Sequence, residues 1–297
     1  MTGDGAYVPA LVVRRDGARV AWEKDSLVAE EPLEIRLREA SGGDAVRFVV
    51  TMRTPGADED LAVGLLFGEG VIESASEVLG LERPSDPRIE PELARNVIVA
   101  TLASRAGKGR VPRRATVMGS ACGVCGRTSV DDVLLLAGRS REKSRAARGA
   151  GGFTISPALL TSLPAHLRAE QSVFSATGGI HAAGLFEADG TLFAAREDVG
   201  RHNATDKVVG AMLRAGRTPP PILLVSGRLG FEIAQKAALA GISLVAAVSA
   251  PTSLAVDLAE GAGLTLVGFL RGERFNVYTH PERIVGASAG SRPPGLV

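Results

Sequence analysis

The sequence predicts an α/β protein: a mostly parallel sheet covered by helices, preceded by a smaller β-rich α+β domain. Three observations lead there. From residue 181 onward, short apolar strand patterns are followed by helical ones in the alternation that builds parallel sheets with helical crossovers. The first hundred or so residues instead carry alternating strand patterns around one helix. The composition, 45% hydrophobic and 23% charged over 297 residues, is that of a folded chain with ample core for one large domain or two ordinary ones. Aromatic residues make up only 4%, so Ala, Val and Leu must build that core.

In order along the chain, PLEIRL at 32–37 and AVRFVVTMRT at 45–54 alternate as strands do. DEDLAVGLLFGEGVI at 58–72 reads as a helix capped by Asp58 or Asp60, with Leu61, Val63, Leu65 and Leu66 followed by Gly68. NVIVATLA at 96–103 is a further strand. AGKGRVPRR at 106–114 is a loop and marks the expected domain boundary, 1–114 against 115–297. ATVM at 115–118 is a short strand. TSVDDVLLLAG at 128–138 is a helix, with Thr128 or Ser129 at its start, Asp131 and Asp132 in its first turn and Gly138 after its end. RSREKSRAARGAGG at 139–152 reads as a solvated basic loop, and SPALLTSLPAHLRAE as a helix with Pro157 near its start.

The remainder is regular. HAAGLF at 181–186 and TLFAARE at 191–197 form a hairpin over an Asp-Gly turn. NATDKVVGAMLRAG at 203–216 is a helix ending in glycine. Then come strand ILLVSG, helix FEIAQKAALAG, strand ISLVAAVSA, helix TSLAVDLAEGAG and strand LTLVGFL.

Net charge is +1, which excludes a strong general pull toward nucleic acid or membrane. MTGDGAYVPALVVRRDGARV lacks the basic-then-apolar pattern of a secretory signal. No stretch approaches the ~20 apolar residues of a membrane span. The expected compartment is the cytoplasm, where two cysteines are reactive or metal-binding more often than disulfide-bonded.

Both cysteines, Cys122 and Cys125, fall within MGSACGVCGRTS at 118–129. Gly119, Gly123 and Gly126 surround them and free the backbone. The following helix begins only near Thr128, so the thiols precede it. In thioredoxin-like motifs the first cysteine sits at the helix N-terminus. A glycine-rich loop suits a thiol that moves between partners, where a thiolate attacks a persulfide or disulfide sulfur and its neighbour releases the product. Arg127, Arg113 and Arg114 favour the thiolate. Two other readings stand beside this one. The cysteines are small enough to be plain core residues. A zinc site would need about four ligands, and His166, His181, His202 and His280 show no H-x₃₋₅-H spacing. The deaminase pair H-x-E and P-C-x-x-C is absent.

Three strand ends carry cations. DVGRHNATDK brings Asp198, Arg201, His202, Asn203, Asp206 and Lys207 to a helix start. SGRLGFE brings Ser226, Gly227 and Arg228, and RGERFN brings Arg271, Gly272 and Arg274. Ligands of open α/β sheets bind beyond the carboxyl ends of the strands, and helix N-termini with arginines suit phosphate. TGGIH at 177–181 adds a glycine turn, Gly178–Gly179, and His181. Any one of these turns is also explained as an ordinary ion pair or cap. The run from Arg139 to Arg148 is most simply a solvated face.

SACGVCGRTS, TGGIHAAGL, REDVGRHNATDK, SGRLGFEIAQKAALAG, SAPTSLAVDLAEGAGLTLVGFLRGERFNVYTH and TMRTPGADEDLAVGLLFGEGVI together closely resemble the FdhD/NarQ family of formate dehydrogenase accessory sulfurtransferases, from about residue 32 to about residue 284. The chain departs from that pattern modestly, at Ala121, Arg127 and Gly230. The resemblance implies a fold: a small α/β N-terminal region and a three-layer α/β/α cytidine deaminase-like domain that has lost the deaminase zinc.

It also implies a function. Sulfur arrives as a cysteine persulfide from a cysteine desulfurase and passes to the molybdenum cofactor, bis(molybdopterin guanine dinucleotide), before the cofactor enters formate dehydrogenase. On this analogy Cys122 carries the persulfide and Cys125 assists. Phe269, Leu270, Arg271, Gly272, Glu273 and Arg274 touch the cofactor, and GDP-like nucleotides mimic it. Gly178, Gly179, His181, Arg201, Ser226, Gly227 and Arg228 are the further candidate contacts. A homodimer is expected, with no nucleic-acid partner and no membrane insertion. Two other functions remain open: a non-catalytic chaperone of cofactor and dehydrogenase, and a Cys/His metal-binding module.

Overall fold

The strand and helix patterns are realised in a computed structural model that describes residues 5–84, 94–103, 116–118, 130–148 and 152–287. Thirteen strands are found among them: β1 Tyr7–Asp16, β2 Arg19–Val28, β3 Glu31–Glu39, β4 Val46–Arg53, β5 Val78–Glu82, β6 Val97–Leu102, β7 Thr116–Met118, β8 His181–Phe186, β9 Leu192–Asp198, β10 Ile222–Val225, β11 Leu244–Ala247, β12 Thr265–Arg271 and β13 Arg274–Thr279. The helices are α1 Asp58–Gly68, α2 Val130–Arg148, α3 Pro157–Ala169, α4 Ser172–Thr177, α5 Arg201–Arg214, α6 Phe231–Leu239 and α7 Ser253–Ala262.

The protein is a mixed α/β chain that divides into two units interleaved in sequence. The first takes residues 1–132, 169–184 and 194–217, and the second takes 133–168, 185–193 and 218–297. The expected boundary at 114/115 lies outside the described residues.

In the first unit, β5-β6-β3-β4-β7 form a five-stranded sheet, and β1 and β2 pair on their own. Period-two alternation sets the faces of β3. Leu33 and Ile35 are fully buried, while Glu34 points outward to ion pairs with Arg36 (2.6 Å) and Arg47 (3.1 Å). Leu61, Leu65 and Leu66 of α1 pack with Leu33, Ile35, Val49 and Ile98 into one core. Burial of each such side chain contributes roughly 1.5–3 kcal/mol. The expected acidic cap of α1 is corrected: the cap position is Ala57, left-handed at φ 52°, and it makes no side-chain cap bond. Asp58 and Asp60 lie inside the helix and bind arginines instead.

α1 and α5 cross almost backbone to backbone. A Cβ placed on Gly64 would lie 1.9 Å from the Asp206 carbonyl oxygen, and one on Gly210 would lie 1.8 Å from that of Asp60. Arg196 and Arg214 reach Asp60 at 2.8 Å and 2.6 Å and hold the start of α1 in place.

Arg53 is 2% exposed, and its guanidinium forks onto Asp58 at 2.9 and 3.0 Å. Burial opposes ionisation of Asp58, but Arg53 and then Arg83 outweigh it and hold the carboxyl below its ordinary range. The pair therefore contributes stability that is complete above about pH 4 and is lost as pH falls through the depressed value. Asp58→Asn should cost about 3 kcal/mol at pH 7. In urea titrations at stepped pH the variant should converge on the parent as the solution becomes acidic. A constant gap across the titration would refute this account.

In the second unit the sheet order is β13-β12-β11-β10-β8-β9, to which the turn ends of β8 and β9 contribute. β10, β11 and β12 run parallel, as the alternation predicts, and β13 returns antiparallel. α2, α6 and α7 pack through small residues, Ala137, Ala238 and Ala262, with Leu134 against them. The expected basic loop after residue 138 is corrected here. α2 continues through Gly138 to Arg148, because its second half is anchored. Ser144 is buried, and Arg141 donates to the Ala262 carbonyl at 3.3 Å.

Candidate functional site

Three parallel strands end on one edge of the second unit. Val225 stands beside Ala247 and Ala246 beside Val267, so the loops after β10, β11 and β12 emerge together. The first two loops are laced to each other. Leu229 N–H donates to the Ala250 carbonyl at 3.1 Å, and Thr252 N–H donates to that of Leu229 at 3.0 Å. Each loop leads directly into a helix. α6 starts after Gly230 without a side-chain cap, and α7 starts after Thr252, whose hydroxyl accepts from Ala255 N–H. Two helix N-termini therefore share this edge with Ser226, Gly227 and the exposed Arg228.

The third loop supplies the segment from Phe269 to Arg274. Pairing of β12 with β13 slips between Gly268 and Arg271, and Phe269 occupies the irregularity at φ 54°. A left-handed phenylalanine is rare, and such strain clusters at functional sites. The bulge turns the ring outward, leaving it 43% exposed. Two contacts fix it: Phe269 N–H donates to the Ser249 carbonyl at 3.1 Å, and Arg271 Nε donates to that of Val248 at 3.0 Å. Gly268 is closely packed, since a Cβ there would meet Pro251 at 2.9 Å. Leu270 is fully buried and acts by packing, while Arg271, Gly272, Glu273 and Arg274 are exposed around a two-residue turn with Gly272 at φ 55°.

The strand ends thus bring Ser226, Gly227, Arg228 and Phe269–Arg274 to one edge. The loop after β11, Val248 to Thr252, was not among the candidate contacts read from the cationic strand ends, although it braces the other two. Its sequence signals are the polar VSAPTS that follows an apolar run and the place of SAPTSLAVDL among the motifs of the family resemblance.

Gly178, Gly179, His181 and Arg201 belong to the first unit. Gly178 ends α4 in the left-handed conformation, φ 70°. The Glu197 carboxylate accepts from Val173 and Phe174 N–H at 2.9 and 2.8 Å, which anchors that short helix. His181 opens β8. Burial, then the charge of Arg201, lower its pKa against the pull of Asp198, so the ring is neutral at pH 7. Arg201 begins α5, and its Nε is buried with no hydrogen-bond partner among the described residues. Behind it, Asp198 is fully buried. It accepts from Thr54 and Gly200 N–H at 3.2 and 2.8 Å and pairs with Lys207 at 2.7 Å.

A cavity of about 390 Å³ in the first unit lies against Arg53, Arg83, Arg95 and Arg214. These arginines are already engaged by Asp58, Glu31, Asp60 and Glu59. The cavity wall is an ion-pair network that holds the start of α1. Cys122 and Cys125 lie outside the described residues. Among the described residues no group of three or more His, Cys, Asp and Glu is placed to hold a metal, and no helix is long and apolar enough to cross a membrane.

A family model described as "FdhD/NarQ family" matches residues 28–285. The chain belongs to the FdhD/NarQ family. The expected identity is thereby met. Relatives in it include a protein from Nocardia farcinica, 48% identical over 95% of this chain and 96% of its own, named sulfur carrier protein FdhD. A relative of the same name from Thermoplasma volcanium is 43% identical over 88% of this chain and 90% of its own. A solved structure from Desulfotalea psychrophila, described as a formate dehydrogenase accessory protein, has a TM-score of 0.69. It covers 94% of this chain and all of its own at 24% identity, and so shares the FdhD/NarQ fold.

Proposed function

We propose that this protein is a cytoplasmic sulfur carrier that serves formate dehydrogenase. It takes sulfur from a cysteine desulfurase and gives it to the bis(molybdopterin guanine dinucleotide) cofactor, its substrate. The single observation that carries the reading is the cysteine pair. In an FdhD/NarQ chain of 297 residues the only two thiols, Cys122 and Cys125, stand three apart among glycines. The names of the relatives support it.

The chemistry balances with these two groups. The Cys122 thiolate attacks the terminal sulfur of the desulfurase persulfide. A new S–S bond forms, the old one breaks, and the desulfurase thiolate leaves with the electron pair. Cys122 now bears the persulfide. Attack of the Cys125 thiolate on Cys122 Sγ closes a disulfide and expels the outer sulfur as sulfide, two electrons richer, for the cofactor. An external dithiol then reduces the disulfide for the next turn.

Binding of the substrate is assigned to the strand-end edge. The cofactor carries four phosphates and two guanines. Arg228, Arg271, Arg274 and the starts of α6 and α7 suit the phosphates. The outward ring of Phe269 suits a guanine face. His181 and Arg201 supply a neutral polar group and a cation in the first unit. The protein acts as a homodimer.

The test is electrospray mass spectrometry after incubation with a desulfurase and cysteine. The expected result is a gain of one sulfur mass that is lost on reduction and absent from Cys122→Ala. No gain in the parent protein overturns the carrier role. Normal maturation of the dehydrogenase by a double Cys→Ser variant would favour a chaperone instead.

A further inference from the structure

β1 and β2 form a two-stranded ribbon whose faces differ in charge as well as in polarity. Directly opposed residues share a face, so the register stacks three rungs on one side: Leu11 with Lys24, Val13 with Trp22 and Arg15 with Val20. Leu11, Val13, Val20 and Trp22 are 68%, 53%, 61% and 71% exposed. They form an apolar centre with Lys24 and Arg15 at its two ends, one on each strand. The three acids of the ribbon, Asp16, Glu23 and Asp25, fall on the other face, where Arg14 reaches Glu23 at 3.1 Å and Asp25 at 3.8 Å. Lys24 and Arg15 make no ion pair among the described residues, and Arg15 Nε donates to the Gly17 carbonyl at 3.1 Å. A two-stranded ribbon is marginal in water by itself, and the apolar side of this one is bare among the described residues.

We infer that this face docks on an anionic lipid surface. Three observations select that occupant. The first is charge complementarity. The bare face carries two cations and no acid, so it attracts a negative surface without driving a carboxylate against it. The second is the kind of side chain. The Trp22 ring suits the boundary between headgroups and hydrocarbon, and Leu11, Val13 and Val20 suit the acyl side of it. Lys24 and Arg15 can lay their stems along that apolar centre while their charged ends reach lipid phosphates. The third is area. The four apolar side chains present on the order of 500 Å². A protein partner of standard size takes about 800 Å² per side and roughly one hydrogen bond per 100–200 Å². This face offers less area and only two charged donors, whereas a lipid surface moulds itself around protruding side chains and asks for neither. The contact is peripheral and needs no spanning helix. A net charge of +1 over the whole chain confines it to this face and makes it reversible. It goes beyond the sulfur-carrier reading and does not depend on it.

Trp22 is the only tryptophan in the chain, so its emission reports on this face. The experiment mixes the full-length protein with phosphatidylcholine–phosphatidylglycerol vesicles and, separately, with vesicles of phosphatidylcholine alone. Flotation and tryptophan emission follow binding. The parent should float with the mixed vesicles and shift its emission to the blue, and it should bind phosphatidylcholine alone at least about tenfold more weakly. Arg15→Gln combined with Lys24→Gln should weaken binding to the mixed vesicles about thirtyfold. Leu11→Glu keeps the reporter and should abolish the blue shift. Far-UV circular dichroism checks the fold of each, and the exposed glutamine pair carries the test if Leu11→Glu loses it. A parent that does not float with the mixed vesicles overturns the inference, and so does flotation that both variants retain. A blue shift that arises without vesicles as the protein is concentrated also overturns it. So does one that arises only on adding the cysteine desulfurase or formate dehydrogenase, which would give the face to a protein.

Discussion

Gly210→Ala is expected to destabilise the first unit by about 3 kcal/mol or more, or to leave it unfolded. Most added methyl groups meet flexible side chains that yield. Here the methyl would meet the Asp60 carbonyl 1.8 Å away, in a helix whose start is pinned by Arg196 and Arg214. Relief requires α1 and α5 to part, and parting them opens the core around Leu61 and Leu65. Gly64→Ala meets the Asp206 carbonyl and should cost a similar amount. The double variant should cost clearly less than the sum, because either methyl alone already separates the helices. Urea unfolding followed by circular dichroism measures all three. A Gly210→Ala midpoint close to that of the parent would disprove the close crossing.

Lys207→Met should cost about 3–5 kcal/mol at pH 7. Lys207 is 1% exposed; it pairs with Asp198 at 2.7 Å and donates to the Thr54 carbonyl at 2.8 Å. Without it a fully buried carboxylate faces only neutral donors. Burial already pushes the Asp198 carboxyl up, and Lys207 is the largest influence opposing that rise. In the variant the rise is opposed only by neutral donors, Gly200 N–H and the Asn203 amide, so folding favours the protonated acid. An acid raised in the folded state loses stability as pH increases, so the deficit should be greatest at neutral pH and should shrink on acidification. Asp198→Asn combined with Lys207→Met should recover part of the loss. A loss that ignores pH would mean that Lys207 serves as packing and not as a counter-charge.

Much of this fold is legible in the sequence because its signals are local. The strands and helices from ILLV at 222 to LTLVGFL are set by apolar runs broken by glycine, and they are found where expected. β13 escaped because its four alternating residues, Arg274 to Val277, follow directly on the Arg271–Glu273 turn and were read with it as a cationic strand end, whereas pairing with β12 makes them a strand. The second half of α2 escaped because its sequence, rich in Arg and Ser, is that of a solvated loop. Its order comes from Arg141 and Ser144 meeting glycines far along the chain, Gly263 and Gly241. The site divides in the same way. The cationic turns were visible as residue types at strand ends. The left-handed Phe269 was not, because the slip that creates it belongs to two strands at once. The helix crossing at Gly64 and Gly210 was also invisible, since one glycine in a helix says nothing of its neighbour.

The interleaving of the two units bears on how the chain is made. The sheet of β3 to β7 is encoded before residue 133, but α5, which supplies Gly210 and Lys207 to that unit, spans 201–214. During synthesis the early sheet must wait, without the helix that seals α1, until more than two thirds of the polypeptide has been made. Expression of residues 1–132 alone should therefore yield an insoluble product, and co-expression with the remaining segment is the way to obtain either half in soluble form.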